Sequence, residues 1–297
     1  MYGYLGFKHG IFNDYAEADR VTSTGQNIAR MMMREFEKRG SRVVEIDTDG
    51  IFLIPPQGID TEDKEVAMVQ EVSQVMPKGI QIGYDGRFKK MISYKKKNYV
   101  LLDYKDQMKI KGSSLVSRSN ERFGRDFVKE GFRLLLQEDV EGLRKLYLHC
   151  RERIVSRTMT IEEISKTESL KKTMEEYEKH LREKKGKAAT FELAKRKKIQ
   201  VTKGDRLTYY IAGTGAGSSA DMAKLASEWN PNAPDLNVDF YLLRLKDFIE
   251  KFTVFFDPTD FSSLFSIDEL FPVDTGSIKI IREIPSDTSE NEMDEVE

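Results

Sequence analysis

The sequence predicts an α+β fold with mostly antiparallel strands in its first part and a mainly helical remainder. Three observations predict it. Two β-rich runs, Val43–Ile46 and Ile51–Ile54, flank an Asp-Gly pair, the signature of a hairpin. From Ile80 to Gly112 short β-rich runs alternate with turn residues. Beyond Gly112 the apolar spacing changes to the helical period. That change, with antiparallel strands on one side and helices on the other, argues against an alternating parallel α/β sheet.

Taken in order, Asn13 or Asp14 can cap a helix reaching Arg39, with Ala18, Val21, Ile28, Met32 and Phe36 near one face and Gly40 as its stop. The hairpin follows and ends at Pro55-Pro56. Thr61 to Met76 carries Val66, Val69, Val72 and Val75 or Met76 at helical spacing, closed by Pro77-Lys78-Gly79. Strands are expected in Gln81–Tyr84, Phe88–Tyr94, Lys96–Asp103 and Met108–Gly112, with turns at Asp85-Gly86 and Lys105-Asp106. Helices are expected over 121–137, 140–156, 172–183, 190–198 and 238–255, interrupted by one strand, Arg206–Gly213. Gly213–Ser219 is glycine-rich, but Ser218 sits where a dinucleotide fingerprint needs its third glycine and no parallel βαβ unit surrounds it, so it reads as a loop.

Composition removes several functions. The 297 residues are 33% charged yet carry a formal net charge of only −2, which excludes a globally basic nucleic-acid coat protein but leaves a local basic surface open. Such a surface exists between Gln81 and Gly112, where about nine bases face about three acids. One cysteine allows no internal disulfide, and three scattered histidines make a poor zinc site. No apolar run is long enough to span a membrane and no signal peptide is evident, so no membrane partner and a cytoplasmic location are expected. Residues 285–297 are acidic with few apolar anchors and read as a disordered tail.

The most chemical content lies in Val43-Val44-Glu45-Ile46-Asp47-Thr48-Asp49-Gly50. Two carboxylates two residues apart at a hairpin tip offer hard oxygen ligands, as magnesium prefers when it also binds substrate phosphates. A plain Asp-Gly turn explains the same residues. So does the nucleophile motif of a haloacid-dehalogenase-type phosphohydrolase, which would need a parallel α/β sheet.

Several further motifs stand in order along the chain: Tyr2-Gly3, Asp47-Thr48-Asp49, Lys96-Lys97-Asn98-Tyr99, Lys111-Gly112 with Ser117-Arg118-Ser119-Asn120, Lys203-Gly204-Asp205-Arg206 with Tyr209-Tyr210, and Asp239-Phe240-Tyr241. Together they resemble the C-terminal part of a family B DNA polymerase, from the last residues of the fingers motif through the second half of the palm and the thumb. The resemblance implies a palm segment over 1–112 and a thumb over 113–284. It implies a DNA-directed DNA polymerase fragment that binds primer–template DNA and deoxynucleoside triphosphates and supplies part of a two-Mg2+ site. In that frame Asp49 is the catalytic ligand of both metal ions and Asp47 a weaker, accessory one. Tyr2, Gly3 and Thr48 line the nucleotide pocket, while Lys96, Lys97, Tyr99, Lys111, Gly112 and Arg118 contact DNA.

Alternation on a strand would set Lys97 and Tyr99 on one face and Lys96 on the other. For Lys89, Lys90 and Lys95 a solvated edge strand explains the charge as well as DNA does. Three departures stand out: Glu45-Ile46 occupies the place of the usual Tyr-Gly, Gly50 that of a serine, and Arg118-Ser119-Asn120 that of Arg-Arg-Asp. The partner palm aspartate and the fingers lysine are not in the sequence. An N-terminal polymerase chain is therefore an expected partner, and the segment alone is expected to be inactive. A non-catalytic DNA-binding accessory protein derived from a polymerase is the contrasting possibility.

Overall fold

The computed structural model describes residues 2–47, 50–117, 119–183, 186–215, 217–267 and 273–282, with the side chains of Asp47 and Val116 outside that description. The expected acidic tail, Thr48, Asp49, Arg118, Lys184 and Lys185 lie outside the described residues. The chain forms two compact units, Met1–Gln107 and Met108–Glu297.

The first unit opens with a single helical turn, α1 (Tyr2–Leu5), then the long α2 (Tyr15–Lys38). Asp14 caps α2 by accepting from the Glu17 amide at 3.1 Å. The hairpin β1 (Arg42–Asp47) and β2 (Gly50–Ile54) follows, then α3 (Glu62–Gln74), β3 (Lys90–Lys95) and β4 (Asn98–Leu102). Met32 and Phe36 of α2 and Met68, Val72 and Met76 of the α3 segment form the core, with Ile51 and Leu53 of β2 packed on it. The α2 stripe continues to Ala18, but Val21 is exposed.

Two strand expectations change. Gln81–Tyr84 forms no strand: the Ile82 amide donates to the Ser73 hydroxyl at 2.9 Å, and Tyr84 donates its hydroxyl to Glu65 at 2.7 Å. Its polar ties run to a helix rather than to a neighbouring strand. The β3–β4 turn falls at Lys96-Lys97, because Lys95 pairs with Asn98 and the backbone of Lys97 has φ of 62°. Lys97 and Tyr99 are therefore not alternate residues of one strand.

The second unit runs β5 (Met108–Lys111), α4 (Ser113–Val116), α5 (Arg122–Gln137), α6 (Val140–Val155), α7 (Ile161–Ile164), β6 (Lys166–Ser169), α8 (Met174–Arg182), α9 (Ala189–Lys197), β7 (Arg206–Ile211), α10 (Ser219–Met222), β8 (Ala223–Leu225), α11 (Val238–Ile249) and α12 (Pro258–Leu264). Phe123, Phe127 and Phe132 of α5 meet Phe248 of α11 and Phe252 and Phe255 of the 3-10 segment that continues it, with centroids 5.2–6.0 Å apart. Three of these four pairs are edge-to-face, an arrangement that aromatic rings favour, and all six rings are buried. The strand expected at Arg206 is joined by two others: β6, β7 and β8 form an antiparallel sheet in that order. Tyr241 ties it to the helices, accepting from the Ile211 amide and donating to the Ile164 carbonyl, both at 3.0 Å.

Candidate functional site

In the first unit two hairpins are packed together. β1 and β2 pair antiparallel, ending with Asp47 opposite Gly50, and the register slips between Val43 and Glu45. A bulge of this kind inserts one residue and reverses which positions share a face beyond it. Leu53, opposite Val43, faces the helical core, whereas Phe52, opposite Glu45, faces the second hairpin. There the Phe52 ring meets Tyr99 edge-on at 4.9 Å and Phe88 at 6.4 Å. Tyr99 is only 6% exposed, so its body is the support between the hairpins and not an open aromatic platform.

Above this contact the Lys96-Lys97 turn is exposed. Glu45 reaches it with both carboxylate oxygens: one accepts from the Lys97 amide at 3.1 Å, the other from the Ser93 hydroxyl at 2.6 Å. The lysine turn is thus bonded to a residue two positions from Asp47. The Asn98 side-chain amide donates to the Lys96 carbonyl at 2.9 Å and stiffens the turn. Glu45 was legible in the sequence only as a departure from the family pattern, and no local spacing signals its contact with residues 48 and 52 positions away.

Tyr2 sits in α1 with 52% exposure, and a Cβ added to Gly3 would meet nothing within 4 Å, so neither is packed in a core. In the second unit Lys111 ends β5 exposed. Gly112 caps α4 with φ of 100° and ψ of 139°, a conformation that glycine adopts without steric cost. Arg122 pairs with Asp126 at 3.3 Å. Lys203 and Gly204 form a turn ahead of β7, where the Thr202 amide donates to Asp205 at 2.7 Å, and Tyr209, Tyr210 and Tyr241 are core residues.

The sequence supplies two hard oxygen donors of the kind magnesium prefers, Asp47 and Asp49, but Asp49 and the Asp47 side chain lie outside the described residues. Among the described residues no group of three or more His, Cys, Asp or Glu side chains gathers as a metal site. The phosphohydrolase alternative is corrected by topology: the strand carrying Asp47 pairs antiparallel with the strand that follows it, not parallel within a βαβ unit.

Comparison with known proteins agrees with this architecture. The model of DNA polymerase family B matches residues 1–254, and the chain belongs to that family. A DNA polymerase of Methanocaldococcus jannaschii is 28% identical over 251 residues, covering 82% of this chain and 15% of the relative. One from Thermococcus gorgonarius is 23% identical over 250 residues, covering 82% and 31% respectively. The structure of the family B DNA polymerase from Pyrobaculum calidifontis aligns with a TM-score of 0.61 at 22% identity, over 92% of this chain and 32% of that one. The chain thus spans under a third of the length of these relatives.

Proposed function

We propose that this chain is a palm-and-thumb segment, 1–112 and 113–284, of a DNA-directed DNA polymerase that binds primer–template DNA and deoxynucleoside triphosphates. The observation that carries this reading is the Phe52–Tyr99 contact at 4.9 Å, which packs the lysine turn onto the carboxylate hairpin. Nucleotidyl transfer needs positioning and charge neutralisation more than covalent help from the protein. Asp49 and Asp47 would hold Mg2+, which when bound neutralises phosphate charge and favours attack by a primer hydroxyl.

The residues of this chain divide the remaining work. Lys96 and Lys97 bind backbone phosphate from a turn held rigid from below by Tyr99. Lys111, Gly112 and Arg118 make further backbone contacts from the second unit, with Gly112 admitting close approach of its main chain. Tyr2, Gly3 and Thr48 shape the nucleotide pocket. Further carboxylate ligands come from outside residues 1–297, and the large apolar side chains exposed near α1 (Tyr4 at 71%, Ile11 at 93% and Phe12 at 76%) supply surface for that part to cover. Without it the segment is inactive.

Duplex binding measured over a salt series in magnesium-free buffer tests the reading. Lys97→Ala should weaken binding and lower the salt slope by about one, as expected for one lost phosphate contact. An unchanged affinity and slope would remove Lys97 from the interface. In a complex that supplies the missing carboxylate, Asp49→Ala should abolish primer extension while leaving magnesium-free binding intact. Retained extension would refute the metal assignment.

A further inference from the structure

We infer that Glu45 is a positioning residue: its carboxylate clamps the Lys96-Lys97 turn to the strand that carries Asp47. The inference rests on the proposed role of that turn in binding phosphate. Three observations on the first unit support it.

Glu45 spends both carboxylate oxygens on the second hairpin. One accepts from the main-chain amide of Lys97 at 3.1 Å and the other from the Ser93 hydroxyl at 2.6 Å. These donors bracket the turn, one at its tip and one on the strand leading into it. The Lys97 backbone is left-handed, φ 62°, a conformation that costs a non-glycine residue energy and persists only when neighbours hold it. An ionised acceptor on the Lys97 amide supplies such a hold. Finally, the bulge between Val43 and Glu45 is what turns Glu45 onto the Phe52 side, where the second hairpin packs. With regular pairing Glu45 would share a face with Val43 and so with the helical core.

Electrostatics and geometry give opposite signs here, which makes the role testable. A surface acid next to a phosphate-binding turn repels DNA, so removing it should tighten binding. A clamp does the reverse, since loss of the carboxylate lets the lysines sample positions away from the phosphates and the ordering cost is then met on binding.

The test uses the full chain with Glu45→Ala and Glu45→Gln. Glutamine can still accept from the Lys97 amide and donate to Ser93, so it keeps the clamp while removing the charge. Two readouts are needed: amide hydrogen exchange at Lys97 by NMR, without DNA, and affinity for a primer–template duplex. In Glu45→Ala, exchange at Lys97 should quicken by about tenfold or more as its hydrogen bond is lost. Duplex affinity should fall about three- to tenfold, with Glu45→Gln matching or exceeding the wild type. Unchanged exchange in Glu45→Ala, or tighter duplex binding by it, would overturn the inference. Failure of the wild-type chain to bind duplex would instead refute the proposed function, and the exchange measurement would still decide whether Glu45 holds the turn.

Discussion

Gly124 of α5 is where the core of the second unit is least able to accept a methyl group. A Cβ built there falls on three carbons of the Phe248 ring, well inside contact distance. That ring cannot retreat cheaply. Phe248 is 2% exposed, packs edge-on against Phe123 at 5.6 Å and carries the Arg244 guanidinium over its face at 5.0 Å. Overpacking of this kind costs about 1–3 kcal/mol, and losing the cation–π contact adds about 0.5–1 kcal/mol. Alanine returns about 1 kcal/mol of helix propensity over glycine. Gly124→Ala should therefore destabilise the second unit by about 2 kcal/mol, the overpacking range setting the spread. The sole tryptophan, Trp229, lies in this unit and packs on Tyr210 at 5.2 Å, so its fluorescence during urea unfolding reads the transition. With a slope near 3 kcal/mol/M the midpoint should drop by about 0.7 M. Adding Phe248→Leu should recover part of the loss, because the smaller side chain vacates the space. An unchanged or raised midpoint for Gly124→Ala would refute the close approach of α11 to α5.

The opposite sign is expected at Gly25, mid-way along α2, where an added Cβ meets nothing within 4 Å. Gly25→Ala should stabilise the first unit by about 0.5–1 kcal/mol, seen as a higher unfolding midpoint by circular dichroism. Glu163 accepts from Arg153 at 2.7 and 2.6 Å and from the Thr160 amide at 2.8 Å. Burial pushes its pKa up, but the Arg153 and Thr160 bonds outweigh it and hold the group below its ordinary 4.5. A folded pKa depressed in this way adds stability above the unfolded value, and that stability is lost as pH falls through the folded one. Glu163→Gln should accordingly cost about 1–2 kcal/mol at pH 7, and the unfolding curves of the two proteins should draw together only as pH falls below the ordinary carboxylate range. Burial pushes the Cys150 thiol up to about 12. The native chain should resist thiol reagents at pH 8 and react only as it unfolds, and fast native labelling would show that the α6 core is open.

The long elements were legible because their signals are local. α2, α3, α5 and α6 carry apolar spacing at the helical period, Asp14, Thr61 and Asp139 cap α2, α3 and α6, and the Asp-Gly hairpin carries turn chemistry between two β-rich runs. Where tertiary partners decide, the sequence was a poorer guide. Gln81–Tyr84 has the composition of a strand, but its bonds go to Ser73 and Glu65 of α3. β6 and β8 carry no strand signal because Lys166–Ser169 is wholly polar and Ala223–Leu225 only three residues long; pairing with β7 makes them strands, not intrinsic preference. The lysine turn was misplaced for a related reason. Lys96 and Lys97 lack the Asn-Gly or Asp-Gly pair that announces a hairpin, and the φ of 62° at Lys97 is stabilised from outside the hairpin.

The same distinction separates the parts of the candidate site. Residue types that could do the chemistry, carboxylates on one hairpin and lysines on another, are visible one motif at a time. The packing of the two hairpins depends on contacts that no motif contains: Phe52 against Tyr99, and Glu45 against Ser93 and the Lys97 amide. Glu45 interrupts an otherwise apolar run on β1, which would weaken a strand chosen only for burial. A buried Val or Ile at that position would gain about 1.5–3 kcal/mol of apolar transfer yet leave the Lys97 amide without its anionic acceptor. That a charged residue stands there, turned by a bulge toward the second hairpin, is the chemistry expected if fixing the lysine turn matters more to this unit than packing the strand.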